Sequence, residues 1–93
     1  MYTYIAFHYP KPEYVEELLA SMRRVDVASR QADGLVSIGP WREIDGDRIV
    51  GVSVWESRAH FEAAAPAVWG VVKDDPFDLW CAKPTEDFEG ESV

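Results

Sequence analysis

Arg48-Ile49-Val50-Gly51-Val52-Ser53-Val54-Trp55-Glu56 is the stretch that decides the fold. Successive side chains of a strand point to opposite faces, so Val50, Val52 and Val54 share one face while Ile49, Gly51, Ser53 and Trp55 share the other. Neither set is what a solvated face carries. A strand that is apolar on both sides belongs to a sheet covered twice, and one layer of helices covers only one side. For a chain of 93 residues, a symmetric copy of itself is the available source of the second cover.

On the N-terminal side of this strand, Asp45-Gly46 within Ile44 to Asp47 makes a turn, and Leu35 to Glu43 is the hairpin partner. Pro40 donates no ladder hydrogen bond, so it demands an edge position or a bulge. Earlier still, Tyr2 to Tyr9 is aromatic and β-favouring and ends at Pro10-Lys11-Pro12. Pro12 suits the first position of a helix, and Glu13, Glu16 and Glu17 lie at the positive end of its dipole. Val15, Leu18, Leu19, Met22 and Val25 then recur at helical spacing and face the sheet, with Glu16, Glu17, Arg23, Arg24 and Asp26 largely filling the other side. Asp33-Gly34 stops that helix.

On the C-terminal side, Ser57 caps a second helix carrying Phe61, Ala64, Ala65 and Val68 at helical spacing, and Pro66 breaks or kinks it about two turns in. Asp74-Asp75-Pro76 is a loop, Phe77 to Lys83 reads as the last strand, and Glu86 to Val93 reads as a solvated acidic tail. The order is β-α-β-β-α-β in a single domain spanning 1–93. The predicted architecture is α+β: a ferredoxin-like subunit with a four-stranded antiparallel sheet and two helices on one face, paired into a dimeric α/β barrel.

Nine basic against seventeen acidic side chains leave a net charge of -8, which repels nucleic acid and anionic membranes. No apolar run approaches the roughly 20 residues of a membrane span. The single cysteine, Cys81, forms no internal disulfide and reads as a buried inert thiol, and no secretory leader is visible, so a reducing cytoplasm is expected. Four Trp, four Tyr and four Phe are a heavy aromatic load for so small a volume and ask for a pocket or an interface.

At Val54-Trp55-Glu56-Ser57-Arg58-Ala59-His60-Phe61-Glu62-Ala63 the chain resembles the strand-to-helix junction of the antibiotic-biosynthesis-monooxygenase-like family, a branch of the dimeric α/β-barrel superfamily. Lys11-Pro12 and Asp33-Gly34 are also similar to that family, in order and spacing. The resemblance implies a ferredoxin-like subunit, a homodimer, and a pocket between sheet and helices. Members include cofactor-independent oxygenases of polyketide quinol precursors and haem-degrading enzymes. In the haem-degrading branch the junction tryptophan lines the haem pocket, and Trp55 matches it. That branch also uses an asparagine on the first strand, whereas this sequence has no Asn, and a histidine ligand nine or ten residues after the tryptophan, where Ala64 and Ala65 stand. These departures weigh against haem binding or degradation.

The candidate site residues follow. Trp55 is either a stacking platform for a flat aromatic ligand, with Gly51 and Ser53 leaving room beside it, or a core tryptophan. His8, in phase with Tyr4 and Ala6, is the candidate general base, its pKa near about 6.5 suiting work at neutral pH. His60, Phe61 and Trp69 complete the candidate binding set. His8, His60 and Cys81 lie on three separate elements without ligand spacing, so no metal and no cofactor are expected. The leading expectation is a small-molecule-binding protein that oxidises an electron-rich aromatic metabolite without a cofactor. The alternative is a non-enzymatic ligand-binding or interaction module on the same scaffold.

Overall fold

The computed structural model describes residues 1–93. Strand β1 runs over Tyr2–His8, a 3-10 turn over Pro12–Tyr14 leads into helix α1 (Val15–Ser29), and strands β2 (Leu35–Arg42) and β3 (Ile49–Trp55) form the hairpin. Helix α2 (Arg58–Gly70), a short helix α3 (Phe77–Trp80) and strand β4 (Glu86–Glu91) complete the chain. The sheet order is β2-β3-β1-β4, antiparallel throughout, which is the ferredoxin-like arrangement. Pro40 does lie on an edge strand, and a register shift between Leu35 and Ser37 adds a bulge to the same strand.

The two faces of the sheet have different environments. Tyr2, Ile49, Ser53 and Trp55 are buried on the face that the helices cover. That core continues through Leu18 and Met22 of α1 to Trp80 and Cys81 after α2. Leu18 has no exposed surface, and its truncation to alanine would cost about 2–5 kcal/mol. On the opposite face, Val50, Val52 and Val54 stand beside Phe7, Ile5 and Thr3 of β1, with Trp41 and Phe88 at the flanks. Trp41 is 64% exposed and Phe88 50%. Only 14 of 93 residues are buried, and the accessible surface of 5942 Å² exceeds the roughly 5,400 Å² expected for a monomer of this mass. Trp41 and Phe88 of that second face contribute to the excess.

Four local expectations need correction. Phe77 to Lys83 is not the last strand: Phe77, Asp78, Leu79 and Trp80 make one helical turn that folds Phe77 and Trp80 into an edge-on pair at 5.5 Å. The last strand is instead the acidic segment Glu86–Glu91, which does not stay solvated but pairs with β1. Its charges are tolerated because an edge strand keeps one side in water and β1 supplies phenols to bond them. Tyr2 donates to Glu89 Oε1 at 2.7 Å, Tyr4 to Asp87 Oδ2 at 3.1 Å, and Tyr9 to Glu86. Pro66 does not break α2, which continues to Gly70, since packing of Phe61 before it and Val68 after it outweighs one lost backbone bond. Asp26 does not join the solvated side of α1 but is buried at 9% exposure.

Gly34, in the turn just before β2, has φ +88, a left-handed value that disfavours a side chain. A Cβ there would also collide with the imidazole of His60. Helix α1 ends at Ser29, and a turn carries the chain to this glycine. Ser57 caps α2 as expected, its Oγ accepting from the His60 N–H at 3.2 Å and meeting His60 Nδ1 at 2.7 Å.

Candidate functional site

Between the helix-covered face of the sheet and the two long helices lies a pocket of about 240 Å³. Strand β1 sends Tyr4, Ala6 and His8 into it because alternate residues of a strand share a face, and β3 adds Gly51 and Ser53. Gly51 matters for space: a Cβ there would press on the Met22 side chain. Helix α1 contributes Ser21, Met22, Val25 and Asp26, while Trp69 and Val72 enter from the end of α2 and Phe77 from α3.

The wall is aromatic and continuous. Phe61 is its hub, stacked on Tyr4 at 5.0 Å and edge-on to both Trp55 and Trp69 at 5.8 and 6.5 Å. Tyr4 also meets Trp69 edge-on at 5.8 Å. At the other end, the His8 ring stacks on Phe77 at 6.1 Å, and His8 Nδ1 lies 3.0 Å from Thr85 Oγ1, another residue of the pocket.

Three titratable groups line this space. Burial pushes the His8 imidazole below its usual value, which holds it neutral and able to accept a proton at physiological pH. Burial pushes the Asp26 carboxyl above its usual value, and the charge of Arg30 one turn along the helix only partly opposes this. Tyr4 is pushed up to about 12, first by burial and then by the neighbouring Asp87 carboxylate, so it stays a neutral phenol. The Ser21 hydroxyl is 1% exposed and has no hydrogen-bond partner.

Of the residues singled out from the sequence, His8, Tyr4, Ser53 and Trp69 meet at this pocket. Trp55 does not: it is 2% exposed, lies beneath Phe61, and borders only a narrow crevice of about 20 Å³. It is a core tryptophan whose indole N–H donates to Ser53 Oγ at 3.0 Å, so it reaches the pocket through Ser53 and offers no open face for stacking. Phe61 borders the same crevice and supports the pocket wall. His60 sits in a separate groove between the helices, against Gly34. Asp26, Ser21, Phe77 and Thr85 escaped the sequence reading. Asp26 had left a signal, since it follows Leu18 by eight residues and Met22 by four and so shares their helical face. Phe77 and Thr85 left none, because their positions depend on the turn at α3.

The fold and the site together define a small α+β domain with a compact aromatic pocket under one sheet face. The antibiotic biosynthesis monooxygenase family model matches residues 1–65, and the chain belongs to that family. No curated protein sequence matches it. Among solved structures, it is similar to Rv0793 from Mycobacterium tuberculosis, with TM-score 0.84 and 18% identity over 99% of this chain and 94% of that one. It is also similar to SnoaB, a cofactor-independent oxygenase from Streptomyces nogalater, with TM-score 0.79 and 17% identity over 98% and 91% of the two chains. A third similar structure is a variant of MhuD with two manganese protoporphyrin IX molecules bound per active site, at TM-score 0.78 and 20% identity over 100% and 95%.

The residues present do not fit a porphyrin. The pocket volume falls below the roughly 300–1,000 Å³ of drug-sized sites. Helix α2 carries Ala64 and Ala65, which cannot ligate iron, and His60 lies outside the pocket.

Proposed function

We propose that this chain is a homodimeric, cytoplasmic small-molecule-binding protein that oxidises an electron-rich aromatic metabolite with dioxygen and without metal or flavin. The observation that carries the reading is His8, held neutral by burial at one end of an apolar pocket walled by Tyr4, Trp69 and Phe77. His8 is the base in this reading. Removing a proton from a bound phenol or quinol leaves an electron-rich anion that reduces dioxygen directly. For an anthrone-type phenol, which carries a ring CH2 in conjugation with the hydroxyl, that CH2 and O2 overall become C=O and H2O. All four electrons come from the substrate, so the balance closes without a second reductant.

The aromatic wall orients the ring, and the apolar lining keeps bulk water from competing for the proton. Trp55 acts as a positioning residue here, holding Ser53, whose hydroxyl donates to the Tyr4 carbonyl at 3.3 Å. The homodimer rests on the uncovered sheet face, where Ile5, Phe7, Val52, Trp41 and Phe88 form one apolar surface on a subunit with a small core. The lone buried thiol Cys81 suits a reducing compartment.

The test is oxygen uptake by purified protein across a panel of quinols and anthrone-type phenols, with His8→Ala alongside. The expected result is oxygen consumption by wild type and its loss in the variant. Binding of panel members without oxygen consumption would overturn the enzymatic reading in favour of a ligand-binding module on the same scaffold.

A further inference from the structure

The pocket described above contains a carboxylate that the oxidation chemistry leaves unused. Asp26 is 9% exposed on the inner face of α1 and takes part in none of the chain's ion pairs. Its oxygens keep accessible surface, whereas the hydroxyls of Ser21 and Ser29 on the same helix are fully sealed and bonded to nothing. Leaving a carboxylate unpaired in a protein interior is costly, and an apolar residue at position 26 would fold better. An unpaired carboxylate lining a cavity is a site awaiting a partner.

The character of that partner follows from the rest of the lining. None of the sixteen residues around the pocket is Lys or Arg, and its one imidazole is held neutral. The basic groups of the same helix, Arg23 and Arg24, and Arg30 at its end are exposed. A carboxylate or phosphate entering here would meet Asp26 with no cation in the lining to pair with. An ammonium group would meet a carboxylate and the faces of aromatic rings, both of which attract cations. The net charge of -8 favours the approach of a cation as well.

We propose that Asp26 is the polar anchor of the pocket, and that the ligand class is a compact aromatic amine: a ring between Tyr4, Trp69 and Phe77, with its protonated amine on Asp26. The proposal rests on this pocket being the substrate site of the proposed oxygenase. It adds which electron-rich aromatics are accepted: those bearing a basic nitrogen, with free acids rejected. In this arrangement Asp26 and His8 divide the work, the first holding the amine and the second facing the ring substituent that loses a proton.

A matched trio of probes tests it by isothermal titration calorimetry: tyramine, para-ethylphenol and para-hydroxyphenylacetate, which share a phenol and differ in the charge of the side chain. Tyramine is expected to bind at least about tenfold more tightly than para-ethylphenol, as a charge-assisted bond in a desolvated site allows, and the acid is expected to bind most weakly. Asp26→Asn, which keeps the shape and removes the charge, should erase the preference for tyramine and leave para-ethylphenol affinity within about twofold. Equal binding of acid and amine, a preference that survives Asp26→Asn, or no binding of tyramine at millimolar concentration would each overturn the anchor. Oxygen uptake by the same protein with anthrone-type phenols, which carry the ring CH2 that the oxidation consumes, separates the two readings. An amine preference in the trio without oxygen consumption on that panel removes the oxygenase and keeps the anchor, while oxygen consumption on that panel with no amine preference in the trio does the reverse.

Discussion

Trp55 and Ser53 lie two residues apart on one face of β3, and the indole N–H of the first donates to the hydroxyl of the second at 3.0 Å. Both are buried, so no water replaces either partner when the other is removed. Ser53 also borders the pocket, which makes this bond the link between the core and the candidate site.

Ser53→Ala is therefore expected to leave the Trp55 N–H buried and unsatisfied, destabilising the fold by about 1–3 kcal/mol. Trp55→Phe in the same background removes the orphaned donor, so the double variant should lose less than the sum of the two single losses. Urea denaturation of the four proteins measures both effects. Additive losses would show that the bond contributes little.

Gly34→Ala is expected to destabilise by at least about 2 kcal/mol, because the left-handed backbone and the ring of His60 both oppose a methyl group there. Adding His60→Ala should recover part of the loss by removing the collision and leaving the backbone cost. Thermal unfolding of the single and double variants separates the two contributions.

Asp26 sets a pH dependence of stability. Its carboxyl binds a proton more readily in the folded chain than in the unfolded one, so its contribution to stability is complete below the ordinary aspartate value of 3.8 and is lost as pH rises through the higher folded value. Asp26→Asn should then be more stable than wild type at pH 7, by about 1–2 kcal/mol, and no more stable near pH 3. Denaturation midpoints across that range give the comparison, and a gap independent of pH would contradict it.

His8 carries the opposite sign. Its imidazole is harder to protonate in the folded chain than at its ordinary 6.5, so the unfolded chain takes up the proton first and stability falls as pH drops below 6.5 through the lower folded value. A proton-accepting role for His8 places the acid limb of the pH–rate profile below 6.5 as well. Proton NMR of the imidazole, alongside the rate profile, checks whether the two limbs coincide.

On the uncovered face, Trp41 and Phe88 are exposed enough to be replaced with little effect on the subunit's own core. Trp41→Ser with Phe88→Ser should shift sedimentation from dimer to monomer at micromolar concentration, with the circular dichroism spectrum retained. A wild type that sediments as a stable monomer at that concentration would remove the case for a homodimer.

The order of the first five long elements, the hairpin, the edge position of Pro40 and the cap at Ser57 were legible from residue order alone. Each rests on interactions within a few residues: apolar spacing, turn chemistry at Asp45-Gly46, a missing N–H, a hydroxyl three residues from its partner. The two apolar faces of β3 were legible for the same reason, since alternation along a strand is local geometry. Only the tertiary structure decided the C-terminal third of the chain and the contents of the pocket. Phe77 to Trp80 has no strong local preference and turns helical because Phe77 and Trp80 bury one edge together, whereas Glu86 to Glu91 has poor strand propensity and becomes a strand because β1 offers it free backbone groups and, with Tyr9 just beyond, three tyrosine hydroxyls. Trp55 closed under Phe61 and Asp26 turned inward for a like reason. Whether a side chain on an inward face meets solid packing or open space depends on the residues opposite it, and those come from distant parts of the sequence.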